Sequence, residues 1–265
     1  MITMKGVNKT YRVRTRDPGL GNAVKSLFTR PQTRIPALRD MSFTIPDGQI
    51  VGYIGPNGAG KSTTIKILSG ILRPDSGECT VNGMVPWLDR KTYVSRLGVV
   101  FGQRSQLWWD VPVLDSFRLL RDIYKTPVGE FRDNLDRLTE LLDLSGLLTA
   151  PARTLSLGQR MRCEIAAALL HSPQVLFLDE PTIGLDAVSK LKVREFILAE
   201  NRARGVTVIL TTHDMQDIDA LCHRVLLIGK GRLLLDGSIQ EIRAMAGENL
   251  STEESVADLY RRFGI

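Results

Sequence analysis

Short runs of apolar residues recur along the chain, separated by turn-forming Gly, Pro, Asn and Asp residues. Several runs are apolar throughout, without the alternation of a half-exposed strand, which favours parallel strands buried on both faces. The pattern predicts strands at residues 2–7, 41–45, 49–54, 78–81, 97–101, 175–178, 206–210 and 225–228. These runs indicate an α/β fold.

Helical periodicity occupies the stretches between these strands. The apolar positions at helical spacing in the middle of the chain are Phe131, Leu135, Leu138 and Leu142. They predict a helical lobe at about residues 104–160, placed between two α/β parts. Further helices are predicted at 64–68, 160–170 and 193–204, and the tail at 238–265 is expected to be helical.

Residues 55–63 read Gly-Pro-Asn-Gly-Ala-Gly-Lys-Ser-Thr and fit the phosphate-binding loop pattern. Glycines let consecutive N–H groups point at phosphate oxygens, and the following helix directs its positive end at the same anion. We expect Lys61 to reach the phosphates and the Ser62 hydroxyl to ligate Mg²⁺. The predicted ATP-binding residues of this loop are Gly55, Pro56, Asn57, Gly58, Ala59, Gly60, Lys61, Ser62 and Thr63.

Two carboxylates end the apolar run at 175–178. In phosphate-loop enzymes an acid at this point holds Mg²⁺, and we predict that role for Asp179. Glu180, one residue further, is the predicted base that deprotonates an attacking water.

Composition narrows the choice of partners. The chain has 265 residues, a net charge of +6 and a sequence pI of about 9.4. This positive charge is compatible with binding to nucleic acid or to an anionic membrane surface. It is equally compatible with exposed basic residues that bind no polyanion. Its three cysteines are far apart, and neither a signal-peptide pattern nor a membrane-spanning run is seen, so a reducing cytoplasm is expected.

The order of the remaining motifs resembles the ABC (ATP-binding cassette) ATPases. Residues 155–160 (Leu-Ser-Leu-Gly-Gln-Arg) are similar to the family's signature motif, and 179–186 to its second acidic motif and D-loop. His213 resembles the switch histidine, Gln103 the Q-loop glutamine, and Tyr11 the aromatic residue that stacks on adenine. The match runs from residue 2 to about 237, which we take as the cassette.

The resemblance implies a fold and a mechanism. The fold is a P-loop NTPase core with an antiparallel β subdomain and an inserted α-helical lobe. Two cassettes, copies of one chain or paralogues, would pack head to tail. Lys61, Gln103, Glu180 and His213 would be catalytic, and Ser62, Gln103 and Asp179 would hold Mg²⁺ beside ATP. The residues implied to contact the partner's nucleotide are Ser156, Leu157, Gly158, Gln159 and Asp186.

Four features of the sequence depart from the family pattern or leave a role unassigned. Leu157 stands where the family usually has Gly, and Gln106 competes with Gln103 for the Q-loop role. Residues 12–34 form a basic insertion, which either contacts anionic lipid or a permease, or is a solvated loop. Trp108 and Trp109 either border the groove for a permease or belong to the core of the helical lobe.

Among ABC proteins, the D-loop form at 182–186 and the run at 231–237 resemble cassettes of bacterial exporters with separate permease chains. The sequence therefore predicts the ATPase subunit of an exporter, peripheral on the inner face of the cell membrane. The alternative is a soluble cassette acting on nucleic acid or ribosomes. Nucleic acid is the weaker choice, because aromatic residues are scarce among the charges of the insertion.

Overall fold

The computed structural model describes residues 1–14, 32–102, 105–247 and 250–265. Its strands are β1 (Ile2–Arg14), β2 (Gln32–Ile45), β3 (Ile50–Ile54), β4 (Ser76–Val81), β5 (Leu97–Phe101), β6 (Val175–Asp179), β7 (Thr207–Thr211), β8 (Arg224–Gly229) and β9 (Arg232–Ser238). The helices are α1 (Lys61–Leu68), α2 (Arg90–Val94), α3 (Val113–Tyr124), α4 (Val128–Leu141), α5 (Leu157–Leu169), α6 (Ala187–Arg204), α7 (Met215–Leu221), α8 (Ile239–Ala246) and α9 (Thr252–Arg262). Among the described residues, no helix is both long enough and apolar enough to cross a bilayer.

Among the described residues, the larger sheet has six strands in the order β5-β6-β7-β3-β8-β9, parallel except for β9. Every residue of β3 and β7 is buried, which explains why their sequences are mainly apolar. The carboxyl ends of β3, β6 and β7 are neighbours at one edge of this sheet. That edge is where parallel α/β sheets place their ligands, and here it gathers the phosphate loop, Asp179 and His213.

The smaller sheet is antiparallel, with the order β2-β1-β4. Here the predicted strand boundaries are wrong: β1 continues to Arg14, and β2 begins at Gln32 rather than at residue 41. The two ends of the predicted basic insertion pair with each other, with Arg12 opposite Arg34. Backbone pairing outweighs the basic composition that made these residues look like a loop. The rest of that segment, 15–31, lies outside the described residues.

Helices α3 and α4 lie in the segment predicted as the helical lobe, and Phe131, Leu138 and Leu142 are buried there. Two helices start earlier than their apolar patterns indicated, because polar side chains cap them. Ser156 caps α5 at Leu157, and Asp186 caps α6 at Ala187.

The segment after β9 contains α8 and α9, and each begins with a reciprocal capping box. The boxes pair Ser238 with Glu241 and Ser251 with Glu254. Trp108 and Trp109 are 42% and 52% exposed, which contradicts the alternative that they form the core of the lobe.

Candidate functional site: a nucleotide cleft

The phosphate loop joins β3 to α1, and glycine is required in it for steric reasons. Gly58 and Gly60 have φ angles of 81° and 109°, which favour glycine. A Cβ on Gly60 would lie 2.7 Å from Leu38 Cδ2 and 2.8 Å from the carbonyl oxygen of Ala37. Within the described chain, no side chain caps the N-terminus of α1 and no acid lies in its first turn. Its N–H groups and positive dipole end therefore suit an anion.

Lys61 is the cation of this loop. It is only 8% exposed, and its ammonium donates hydrogen bonds to the carbonyls of Gly55 and Pro56, the latter at 3.3 Å. Burial lowers the pKa of Lys61, while the carboxylates of Glu180 and Asp179 oppose that shift. A buried ammonium held by carbonyl dipoles is well placed for charge-assisted bonds to phosphate oxygens.

Asp179 ends β6 and is oriented by the neighbouring strand. It pairs with Thr211 in the parallel ladder, and the Thr211 hydroxyl donates to its carboxylate. Ser62 and Asp179 line the same cleft, so a hydroxyl and a carboxylate oxygen are available together. This donor set fits Mg²⁺, which proteins usually hold through one or two carboxylates and substrate phosphates.

Glu180 has an unusual backbone conformation. Its φ is 55°, in the left-handed region, and its N–H donates to the carbonyl of Thr211 at 2.8 Å. Its carboxylate lies 2.6 Å from Nε2 of His213. A non-glycine residue held in this conformation is often found at functional sites. The geometry joins the predicted base and the predicted switch histidine in one pair.

Glu180, but not His213, is among the described residues that line a cleft of about 610 Å³, which is within the range of small-molecule sites. Its walls include the phosphate loop, Lys66, Phe101, Asp179 and Glu180. Tyr11 lies beside the loop, its hydroxyl 3.4 Å from Oγ1 of Thr63, where an adenine-stacking residue is expected. Prediction from sequence missed the contribution of β2, whose Ile35, Pro36 and Ala37 also line the cleft. The short apolar stretch around Ile35 was the available signal, and the basic residues beside it hid it.

The two candidates for the Q-loop differ in what the structure describes. Gln103 lies outside the described residues, so its role stays a prediction. Gln106 forms hydrogen bonds with other parts of the chain. Its side-chain amide donates to the carbonyl of Val99 at 2.6 Å, and its backbone N–H donates to the carboxylate of Glu164 at 2.9 Å. Burial raises the pKa of Glu164, a buried acid that the sequence did not single out.

The signature segment is not among the described residues that line the cleft. Ser156 and Gln159 form a capping box at the start of α5. Asp186 caps α6 through Ser189, whose hydroxyl donates at 2.6 Å and lowers the pKa of Asp186.

The signature segment and the D-loop are close to each other. A Cβ on Gly158 would lie 2.7 Å from the hydroxyl of Ser189. A Cβ on Gly184 would lie 2.7 Å from the side chain of Leu157. We call Ser156, Leu157, Gly158, Gln159 and Asp186 the signature surface.

Comparison with known proteins agrees with this geometry. The family model described as "ABC transporter" matches residues 38–183, more than half of the chain. The fluoroquinolones export ATP-binding protein of Mycobacterium tuberculosis (strain ATCC 25618 / H37Rv) is 38% identical, over 82% of this chain and 70% of that protein. The methionine import ATP-binding protein MetN 2 of Enterococcus faecalis is 33% identical, over 83% of this chain and 64% of that protein.

A solved ATP-binding cassette has the same fold. It is a dimer in a post-hydrolysis state bound to ADP and Pi, with a TM-score of 0.74 and 26% identity. The match covers 90% of this chain and 98% of that one. The predicted P-loop NTPase fold is confirmed, and the chain belongs to the ABC transporter family as an ATP-binding subunit with ATPase activity.

Proposed function

We propose that two copies of this cassette, or one copy and a paralogue, close around two ATP molecules and drive a separate membrane permease as an exporter. The observation that carries this proposal is the separation of two half-sites within one chain. The phosphate loop, Asp179 and Glu180 line the cleft, whereas the signature surface is not among the described residues that line it. A second cassette would bring the missing half to each cleft.

The exposure of the signature surface supports a partner of the same kind. Leu157 is 38% exposed, and Val188 and Leu191, one turn apart on α6, are 64% and 54% exposed. Exposed apolar side chains beside a polar, capped helix terminus suit a protein interface. The structurally similar cassette bound to ADP and Pi is itself dimeric.

Within each cleft we assign roles from position. Lys61 binds the phosphates, and Ser62 and Asp179 hold Mg²⁺, which neutralises charge on the phosphates. Glu180 takes a proton from the attacking water, and His213, 2.6 Å from it, orients Glu180 and contacts the γ-phosphate. Tyr11 stacks on adenine, and Gln103 is proposed to link the metal to the helical lobe.

We place the chain on the inner face of the cell membrane, where ATP is available and where the permease would hold it. Trp108 and Trp109 are then a candidate part of the permease contact, since aromatic residues are enriched in protein interfaces. Arg160 lies 5.7 Å from the centre of the Trp109 ring and steadies it by a cation–π contact.

Export rather than import rests on similarity. The exporter subunit from Mycobacterium tuberculosis is 38% identical and the methionine importer subunit 33%. The sequences at 182–186 and 231–237 favour the same choice. Isolating the co-purifying permease and following ATP-dependent movement of its cargo in inverted vesicles decides the direction: cargo accumulates inside them for an exporter. Both relatives are transporter subunits, which does not favour a role on nucleic acid or ribosomes.

The decisive test of the shared site uses the Glu180→Gln variant, which should bind ATP and Mg²⁺ but hydrolyse slowly. We expect it to form a stable dimer, measured by light scattering. Adding Ser156→Arg should abolish that dimer, because a bulky cation then meets the partner's bound nucleotide. A double variant that still dimerises with ATP contradicts the proposal. Omitting Mg²⁺ from the same assay tests the proposed metal.

We also propose that the β1–β2 hairpin contacts anionic lipid headgroups or an acidic permease surface. Exposed Arg12 and Arg34 are directly opposite in this strand pair, and like charges so placed repel. Anionic lipid would relieve that repulsion and add about 1 kcal/mol per basic residue, a gain that salt removes.

Flotation with phosphatidylserine vesicles tests the hairpin. The Arg12→Gln, Arg34→Gln variant should bind less and with weaker salt dependence. The control variant Arg118→Gln, Arg132→Gln makes the same charge change on α3 and α4 and should bind as the unaltered chain does. Equal binding by all three proteins would contradict the proposed contact between the hairpin and anionic lipid.

A further inference from the structure

A buried carboxylate outside the cleft joins the segments that carry the candidate catalytic residues. Asp217, on α7, is fully buried. Its Oδ2 accepts hydrogen bonds from the hydroxyls of Thr182 and Thr212, the latter at 3.0 Å. Its Oδ1 accepts from Nε of Arg194 on α6 at 2.6 Å. Both oxygens are therefore occupied by groups from three other segments.

The two threonines bound by Asp217 are close in sequence to the candidate catalytic residues. Thr182 follows Glu180 by two residues and opens the D-loop, and Thr212 immediately precedes His213. Each of the two turns that form the Glu180–His213 pair is thus attached to the same atom, Oδ2 of Asp217.

A second layer of charges holds Asp217 in place. Asp214 accepts from Lys190 at 2.6 Å and lies 3.6 Å from Nη2 of Arg194, and its N–H donates to the Thr212 hydroxyl at 3.0 Å. A buried ion pair is tolerable only when its members are hydrogen-bonded, and a network of this kind fixes one arrangement of the chain.

We propose that Asp217 is a positioning residue for ATP hydrolysis. It holds the turns at Glu180 and His213 in a fixed position relative to each other. It also transmits movement of the D-loop to His213. Asp217 is not among the described residues that line the cleft, and it acts through Thr182 and Thr212. The inference rests on the proposed roles of Glu180 and His213. A misplacement of about 1 Å in such a pair costs up to about 10²-fold in rate.

The test replaces each threonine by its isostere. Thr182→Val and Thr212→Val remove a hydroxyl and little else, and each should lower kcat about 10- to 100-fold with the KM for ATP changed less than about twofold. Thr182→Ser and Thr212→Ser keep the hydroxyl and should restore kcat. The double Thr→Val variant should be no slower than about the slower single variant, because both hydroxyls serve one carboxylate.

A matched control lies on the same helix. Asp219, two residues after Asp217, pairs with Arg243 and Thr252 away from the cleft, so Asp219→Asn should leave kcat unchanged. Thr→Val variants that lose thermal stability but keep kcat would make the cluster purely structural and overturn the inference. Equal kcat for the Ser and Val variants would also overturn it.

A readout independent of turnover separates this inference from the proposed function. The imidazole NMR resonances of His213 should move in Thr212→Val and Thr182→Val and stay in place in the Ser variants. Glu180→Gln, assayed in parallel, tests the role of the base. If Glu180→Gln is fully active while the His213 resonances move as expected, the proposed role of Glu180 fails and the positioning by Asp217 stands. Resonances that do not move in either Val variant overturn it.

Discussion

The nucleotide cleft and the signature surface differ in how far one chain completes them. In the cleft, Lys61 is held by the carbonyls of Gly55 and Pro56, and Glu180 is paired with His213. On the signature surface, Ser156 and Asp186 form their hydrogen bonds with the first turns of their own helices. The cleft is thus lined by residues of a single chain, whereas the signature surface is not among the described residues that line it. Changes in the cleft should alter nucleotide binding by a single chain, whereas changes on the signature surface should alter nucleotide-dependent behaviour only when two chains meet.

The largest expected effect belongs to the cleft. Glu180→Gln removes the proposed base while keeping the size of the side chain, and kcat should fall roughly 10²- to 10⁴-fold. ATP affinity should be kept, because the phosphate loop is untouched. Steady-state phosphate release measures the rate. Glu195→Gln makes the same change at an exposed position of α6 and should be fully active. Equal rates for Glu180→Gln and the unaltered chain would remove Glu180 from the mechanism.

Removing the loop cation should have the next largest effect. Lys61→Ala deletes charge-assisted bonds worth about 1.5–3 kcal/mol, so the Kd for ATP should rise about 10- to 100-fold in dilute, monomeric protein. Titration with a fluorescent ATP analogue measures it. Ser156→Ala should leave that Kd unchanged, because Ser156 does not line the cleft. A weakened Kd in Ser156→Ala would break the distinction between the two regions.

The same distinction explains what could be predicted from sequence. The phosphate loop is a local structure: nine consecutive residues specify its turns, its cation and its helix, and all were predicted from spacing. The carboxylates at the end of β6 could likewise be predicted, because the ligand site of a parallel α/β sheet lies at the carboxyl ends of its strands. These features depend on neighbours along the chain.

Residues whose role depends on distant partners could not be predicted in this way. Asp217 and Glu164 are acidic residues of types that are usually exposed, and only their partners on other segments explain why they are buried. The start of β2 was missed for a similar reason, since its pairing with β1 is not encoded in its own composition.

A lower pH should destabilise the fold at the C-terminal end of α5. This end lies away from the signature surface and is not part of the cleft. His171 follows α5, its ring stacks on Tyr124 at 3.8 Å, and its Nε2 lies 3.0 Å from the carbonyl oxygen of Leu97. Burial lowers the pKa of His171 from 6.5 to about 4. Between about pH 6.5 and 4, His171 is therefore protonated in the unfolded chain but neutral in the folded chain. The free energy of unfolding falls as the pH falls through this range. The loss by pH 5 is about 2 kcal/mol.

Urea unfolding at pH 7 and pH 5 checks this expectation. His171→Gln keeps a donor for the carbonyl of Leu97 but has no group that titrates in this range, so it should lose about 2 kcal/mol less on acidification than the unaltered chain. Affinity for ATP at pH 7 should be the same in both proteins. A variant with the full pH dependence of the unaltered chain would show that another group is responsible.

The smallest expected effect gives the most direct comparison, because the chain contains matched capping boxes. Ser156 caps α5 at the signature surface, and Ser251 caps α9 in the tail with the same pair of hydrogen bonds. Ser156→Ala and Ser251→Ala should each cost about 1 kcal/mol of stability, since each loses one cap. In the Glu180→Gln background, only Ser156→Ala should also weaken ATP-dependent dimerisation, because its hydroxyl and helix terminus face the partner's nucleotide in the proposed dimer. If both variants dimerise equally, Ser156 is only a helix cap, and the signature surface must act through Gly158 and Asp186 instead.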